Sequence, residues 1–262
     1  MDYGLLETAL CETASLFRFE HLETCDSTNT LLLERAALGA SSGLALVADR
    51  QTAGRGRRGR SWISEPGHSL SFSLLWRLGS RRHMEGLSLV VGLSTAKALE
   101  DLGFEGIGLK WPNDIWLYGR KLGGILIEIL FDGQGLQAVI GIGLNLRLNP
   151  NWQSQIDQAF TALEVAAVPP PREILLATIL RHLAQDLERF EREGFSPLCE
   201  DWNQRNALYG LPVRISSELG ELRGLCGKAQ TDGSLELRQP EGGHLRIEVG
   251  DVSLCLDRAK DY

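Results

Sequence analysis

Lysine is scarce in this chain. Five occur among 262 residues, so a pair of them bracketing a patterned segment stands out. Long apolar runs are missing, which excludes a membrane-spanning helix. The first residues, Met1-Asp2-Tyr3-Gly4, lack a basic stretch followed by an apolar one, so no secretory signal is expected. Cysteine is sparse and odd in number: Cys11, Cys25, Cys199, Cys226 and Cys255 are widely spaced and form no Cys-x-x-Cys pair. That argues against a disulfide framework or a zinc site and predicts reduced, mostly buried thiols. An excess of positive charge is absent too. With 27 basic against 34 acidic residues, a net charge of −7, the chain as a whole should not favour nucleic acid or anionic membrane. No internal repeat or low-complexity tract is present. What remains is an ordinary globular composition, 43% hydrophobic and 23% charged, long enough to bury a substantial core. A soluble cytoplasmic protein is the expectation.

Against this acidic background, residues 54–60 read Gly54-Arg55-Gly56-Arg57-Arg58-Gly59-Arg60. Glycines let backbone N–H groups turn inward and approach a ligand closely. Arginines add fixed charge and bidentate donors for phosphate or carboxylate. The segment therefore reads as an anion or nucleotide site. Two other readings stay open, a nucleic-acid-binding Gly/Arg segment and a merely solvated loop. Its flanks, Leu44–Ala48 before and Trp62-Ile63 after, favour an ordered loop between strands.

Hydrophobic periodicity organises the rest. Residues 1–20 read as a short helix or arm. Ser27-Thr28-Asn29 followed by Leu31, Leu32, Leu33, Ala36 and Ala37 predicts a capped helix over 27–38. Leu44–Ala48 predicts a buried strand. Over 69–76, Leu70, Phe72, Leu74 and Trp76 alternate with Ser69, Ser71 and Ser73, a strand whose small polar face lines a pocket or meets solvent. Residues 86–102 carry a helical stripe, Leu89, Leu93, Ala96, Leu99 and Leu102. Strands are predicted at 107–111, 125–131 and 137–144, and the clearest helix at 172–192, after the stiff connector Pro169-Pro170-Pro171. Strands and packed helices without regular alternation predict an α+β fold on a mixed or antiparallel sheet. A boundary is expected near Leu208-Tyr209-Gly210, giving domains of 1–207 and 208–262. Beyond it, short runs at 213–216, 221–229, 234–238, 245–249 and 252–256 alternate with glycine-marked turns and predict a small β-barrel.

The bracketing lysines lie in Lys110-Trp111-Pro112-Asn113-Asp114 and Arg120-Lys121-Leu122-Gly123-Gly124. Pro112 ends a strand because it cannot donate to a ladder, and Asn113 and Asp114 suit a turn. Lys121, at a strand start, could neutralise a carboxylate and a phosphate together. Taken alone, Asp114 reads equally as a turn residue and Lys121 as a surface charge.

Taken together these segments resemble the biotin–protein ligases, also called holocarboxylase synthetases. Ser27-Thr28-Asn29, Gln51-Thr52-Ala53 leading into the arginine-glycine loop, the Pro-Asn-Asp turn, Lys-Leu-Gly-Gly and Gly141-Ile142-Gly143-Leu144-Asn145 stand in the family's order over nearly half the chain. The combination is specific where each piece is not. The resemblance implies a class II synthetase-like catalytic domain with a small C-terminal SH3-like barrel. It implies two half-reactions: biotin and Mg²⁺·ATP give biotinyl-5′-AMP and pyrophosphate, and a lysine of a biotin carboxyl carrier domain then displaces AMP. It places Ser27, Thr28 and Gln51 on the ureido ring of biotin with Asn29 in support, and Gly54 and Arg55 at the biotin pocket and carboxylate. Arg57 would meet the phosphate and hold the adenylate. Trp62 would cover the adenine, unless it is a core tryptophan. Lys121 would bridge carboxylate and α-phosphate. Asn113 and Asp114 would lie at the nucleotide and metal end, with Asp114 positioning or deprotonating the incoming lysine. Asn145 would lie near the nucleotide, and Arg58 would add field or loop structure. No metal ligand is assigned. Many family members carry an N-terminal helix-turn-helix, for which the residues before the first motif are too few, so no DNA-binding repressor role is expected. Copies can pair along sheet edges, so a homodimer is compatible with the resemblance. The glycine-rich Arg-Arg-x-x-Gly-Gly-Gly pattern of the lipoate ligases is absent, which favours biotin over lipoate.

Overall fold

The alternation of leucine, phenylalanine and tryptophan with serine does form a strand, β3 (Ser69–Leu78), and it lies in the interior of a seven-stranded mixed sheet. The computed structural model describes residues 1–79, 84–131, 135–152, 158–217, 220–239, 242–248 and 253–257. In chain order the sheet is built from β1 (Arg18–Cys25), β2 (Leu44–Gln51), β3, β4 (Ile107–Lys110), β5 (Asp114–Leu117), β6 (Arg120–Phe131) and β7 (Leu136–Asn145). In space the order is β1-β2-β3-β7-β6-β5-β4, with β1 and β2 parallel and every other pair antiparallel. The outer edge of β4 is closed by residues 205–207, where Leu109 N donates to Arg205 O and Ala207 N donates to Leu109 O.

The helices are α1 (Tyr3–Leu10), α2 (Thr28–Ala37), α3 (Leu87–Asp101), α4 (Arg172–Glu193) and α5 (Cys199–Gln204). Leu70, Phe72 and Leu74 of β3 face the main core with α3 and α4, while Leu75 faces a smaller cluster with Leu32 and Ala36 of α2. Both faces are thus covered, which is why the serine face is buried rather than solvated. Because α3 lies between the sheet and α4, it is buried on nearly all sides rather than along the one stripe its sequence suggests.

Several expectations need correction. Residues 1–20 are not one helix or arm: α1 and a 3-10 turn (Cys11–Leu16) lead into β1, whose mixed Arg18-Phe19-Glu20-His21 pattern masks a strand that, among the described residues, is paired on one side. Asp114 does not sit in the turn but opens β5, paired with Lys110 across a tight connection. None of the five cysteines forms a disulfide, and only Cys199 and Cys226 are buried; Cys25 is half-buried, and Cys11 and Cys255 are exposed.

The C-terminal runs form β8 (Pro212–Ser217), β9 (Gly220–Ala229), β10 (Leu235–Arg238), β11 (His244–Ile247) and β12 (Ser253–Leu256). They make one antiparallel sheet in the order β11-β10-β9-β8-β12. Among the described residues its ends do not pair, so the described pairing is that of a sheet rather than a closed barrel. Its apolar face (Val213, Ile215, Leu235, Leu237) is continuous with the main core. The buried Trp111 indole, donating to Gly233 O at 3.0 Å, fastens it to the end of β4. No described helix is long and apolar enough to cross a membrane.

Candidate active site

Small residues on the inner sheet make room for a cavity. Ser71 and Ser73 of β3 pair with Gly143 and Gly141 of β7, and Gly124 of β6 pairs with Gly143 on the other side. Their alternating neighbours Ile140, Ile142 and Leu144 point to the main core. The Gly-Ile-Gly pattern is therefore a strand that is apolar below and nearly bare above. Above this floor lies a cavity of about 600 Å³, a size suited to a small-molecule ligand.

One end of the cavity is neutral and densely hydrogen-bonded. Ser27 caps α2, its side chain accepting from Thr30 N. Gln51, the last residue of β2, accepts from Thr28 N at 2.7 Å and lies 3.1 Å from Thr28 Oγ1. Ser73 Oγ is 2.7 Å from Thr28 Oγ1 and 2.6 Å from Asn29 Oδ1. Asn29 donates to Leu126 O and to the Glu128 carboxylate, so this buried amide is fully occupied and serves the wall.

The other end is cationic. The segment 52–63 is an ordered excursion: bridges pair Gln51 with Ser64 and Arg55 with Ser61, Trp62 N donates to Gly54 O, and Gly56 N to Arg60 O. A disordered nucleic-acid-binding tail is not what this segment forms. Gly54 is buried against Trp62, and a Cβ there would come within 2.4 Å of Trp62 O. Arg58 adopts a left-handed backbone, φ 58°. Arg57 donates to Asn113 Oδ1 at 3.3 Å, and Asn113 in turn donates to Ile125 O. Trp62 is half-buried rather than a core tryptophan; its indole donates to Ser71 and its ring lies over Gly143.

Asp114 sits at this end between two lysines. Lys121 Nζ is 2.8 Å from Oδ1 and Lys110 Nζ 3.1 Å from Oδ2, all three side chains being mostly shielded from water. Burial pushes the Asp114 carboxyl up, but the charges of Lys121 and then Lys110, with their hydrogen bonds, outweigh it and hold the group below the usual carboxylate range. Its position between the two ammonium groups is that of a counter-ion to both. Lys121 is fixed through its backbone, whose N–H donates to Ala159 O and whose carbonyl accepts from Thr161 N. Asn145 donates to Thr161 O, so it braces the same segment.

The structure brings the predicted residues together except Gly54, which packs against Trp62 and is not part of the lining. Ser27, Thr28, Asn29, Gln51, Arg55, Arg57, Arg58, Trp62, Asn113, Asp114, Lys121 and Asn145 all line this cavity. The sequence reading missed Lys110 as a member of the site, although the scarcity of lysine was a usable signal. It also missed Glu128, which no motif marks, and Leu254 and Cys255, which reach the lining from β12. Arg55 lines the cavity with its guanidinium paired to Glu128 at 2.7 Å.

A model of the Biotin/lipoate A/B protein ligase family matches residues 22–145, the stretch that holds most of this lining. The biotin–[acetyl-CoA-carboxylase] ligase of Paracoccus denitrificans is 33% identical over 238 residues, covering 84% of this chain and 94% of that protein. The chain belongs to the biotin–protein ligase family. The bifunctional ligase/repressor BirA of Escherichia coli is 38% identical to this ligase over 220 residues, which span 83% of it and 68% of BirA. Among solved structures, the biotin protein ligase of Aquifex aeolicus in complex with biotin and ATP superposes with a TM-score of 0.79 at 31% identity, covering 92% of this ligase and 99% of that chain.

Proposed function

We propose that this ligase joins the carboxylate of biotin to AMP and passes the biotinyl group to a lysine of a biotin carboxyl carrier domain. One observation carries the reading. Six basic side chains (Arg55, Arg57, Arg58, Arg60, Lys110 and Lys121) line one cavity whose described lining includes a single carboxylate, Asp114, in a chain that is acidic overall. Such a cavity suits two anions that repel each other. Bringing a carboxylate to within reacting distance of an α-phosphate needs fixed cations at both. Lys121 would stand between them. Arg57, steadied by Asn113, would take charge developing on the phosphate and retain the adenylate. In that step a carboxylate oxygen bonds to the α-phosphorus and pyrophosphate leaves. In the next, the carrier amine attacks the acyl carbon, and AMP leaves with the bonding electron pair while the amine loses a proton. Magnesium would enter with ATP, held largely by the phosphates; Asp114 is the carboxylate of the described lining that could take part.

The neutral end, Ser27, Thr28 and Gln51, offers donors and acceptors for the ureido ring. The nucleotide would lie toward Trp62, Arg58 and Asn145. Residues 1–25 are built into the catalytic layer through α1 and β1, and we assign them no DNA-reading role. We read the reaction as cytoplasmic, a reading supported by five cysteines that form no disulfide and by a requirement for ATP. We read residues 1–207 as the catalytic domain and 208–262 as an SH3-like barrel that contributes β12 to the nucleotide end. If two copies pair, the outer edge of β1, unpaired among the described residues, is one strand open to it.

Purified protein with biotin, ATP and Mg²⁺ should release pyrophosphate and, on addition of a carrier domain, biotinylate it. Tight biotin binding without pyrophosphate would make the protein a sensor, and turnover with lipoate or octanoate in place of biotin would overturn the substrate. Two glycine substitutions separate the ends of the cavity. A Cβ at Gly143 would come within 2.3 Å of the Trp62 ring, and one at Gly141 within 2.2 Å of Asn29 Oδ1. Gly143→Ala should therefore weaken ATP about tenfold and spare biotin, while Gly141→Ala does the reverse, the displaced groups costing about 1–3 kcal/mol each. Calorimetric titration with each substrate measures both; equal loss of the two ligands in either variant would remove this assignment of ends.

A further inference from the structure

Glu128 lies on β6 opposite Val139, between Leu126 and Leu130, an apolar stretch where a carboxylate has little reason to be. Its Oε2 accepts from Arg55 at 2.7 Å and from Asn29 Nδ2 at 3.0 Å. We propose that Glu128 is a positioning residue that holds the cationic loop over the cavity and ties it to the neutral end. This rests on the ligase reading for its kinetic consequence and on geometry alone for the loop.

The hydrogen bonds close a ring. Gln51, at the base of the loop, contacts Thr28; Thr28 meets Ser73; Ser73 meets Asn29; Asn29 donates to Glu128; and Glu128 returns to the loop at Arg55. Gln51 and Arg55 are four residues apart in sequence but are joined across α2, β3 and β6. Such a ring matters because the loop is made of glycines, which order at a high entropic cost, and of arginines, which repel one another. One carboxylate offsets part of that repulsion and chooses where Arg55 goes. An isolated ion pair as open as this one, 41% and 27% exposed, would do little. Here the same oxygen is already fixed by the buried Asn29, so the acceptor is preorganised before Arg55 arrives. Arg55 then anchors the loop. Whatever occupies the Thr28–Gln51 end would be felt by the loop through Ser73, Asn29 and Glu128.

The loop carries four arginines, so trypsin reads its exposure directly. In the full chain without ligand, Glu128→Gln should raise cleavage within 55–60 about tenfold, with the melting temperature of the remainder little changed. Arg55→Gln, which leaves β6 untouched, should match it, allowing for the trypsin site it removes, and the double variant should be no faster than either single one. Unchanged cleavage in both variants, or additive effects in the double, would overturn the proposal. In turnover assays Glu128→Gln should raise the KM for biotin about fivefold with kcat held within about twofold. A purely structural role would lower kcat through the active fraction and leave KM alone, and that result would also overturn it. If wild-type protein does not turn over biotin at all, the substrate reading fails, while the digestion comparison still decides the role of Glu128.

Discussion

Changing Lys121 to alanine should slow biotin- and ATP-dependent pyrophosphate release by about a thousandfold, the scale of losing one preorganised electrostatic donor from a shielded site. The side chain is only 16% exposed and its ammonium lies 2.8 Å from Asp114 Oδ1. Its backbone is pinned on both sides by residues 159 and 161, so the ammonium is delivered to a fixed point at no cost during reaction. On the proposed chemistry it is the one cation placed to touch both reacting anions, and Lys110, held on the opposite oxygen of Asp114, cannot replace it without leaving that carboxylate. Single-turnover pyrophosphate release with a parallel thermal melt checks this. A variant that folds and forms the adenylate at the wild-type rate removes Lys121 from the mechanism.

Asp114→Ala should be the most destabilising single change at the site, because it leaves two shielded ammonium groups facing one another without a counter-ion. Removing one partner of a buried pair costs about 3–5 kcal/mol, a fall in melting temperature on the order of 10 °C for a chain of this size. Activity should fall with it, since Lys110 and Lys121 lose their common anchor. A melting temperature within about 2 °C of wild type would show that the two lysines find other partners. The same carboxylate sets an acid limit. Its folded pKa lies below its ordinary value, so its contribution is fully present above that ordinary value, near pH 4, and drains away as pH falls further through the folded value. Denaturant midpoints for wild type and Asp114→Asn should therefore converge below about pH 4; a gap that stays constant down to pH 3 would contradict the assignment.

Much of this was legible in the chain because each signal is local. The Ser69–Trp76 alternation, the Ser27 cap and the 172–192 stripe depend on neighbours within a few residues, and each becomes the expected element. Edge strand β1 and the short β5 were not legible: an edge strand need not be apolar, and a four-residue strand shows no period. The reading of Asn113 and Asp114 as a turn failed at Asp114 for that reason. Arg55 was expected at a carboxylate and does hold one, but it is Glu128 of the protein, 73 residues away.

By itself the sequence determined the chemistry on offer: an arginine-glycine loop, a lysine before two glycines, and polar residues at a helix start, in an order that marks the family. The tertiary structure alone decided how those groups are used. Sheet pairing sets Gly124, Gly141 and Gly143 beside Ser71 to open a floor and folds the short β4-β5-β6 turns so that Lys110 and Lys121 meet on the Asp114 carboxylate, while a contact spanning 73 residues joins Glu128 to Arg55 of the loop. The physical reason is range. Backbone preference and periodicity act over a few residues, whereas a site's electrostatics is set by charges a few ångströms apart in space and far apart in the chain.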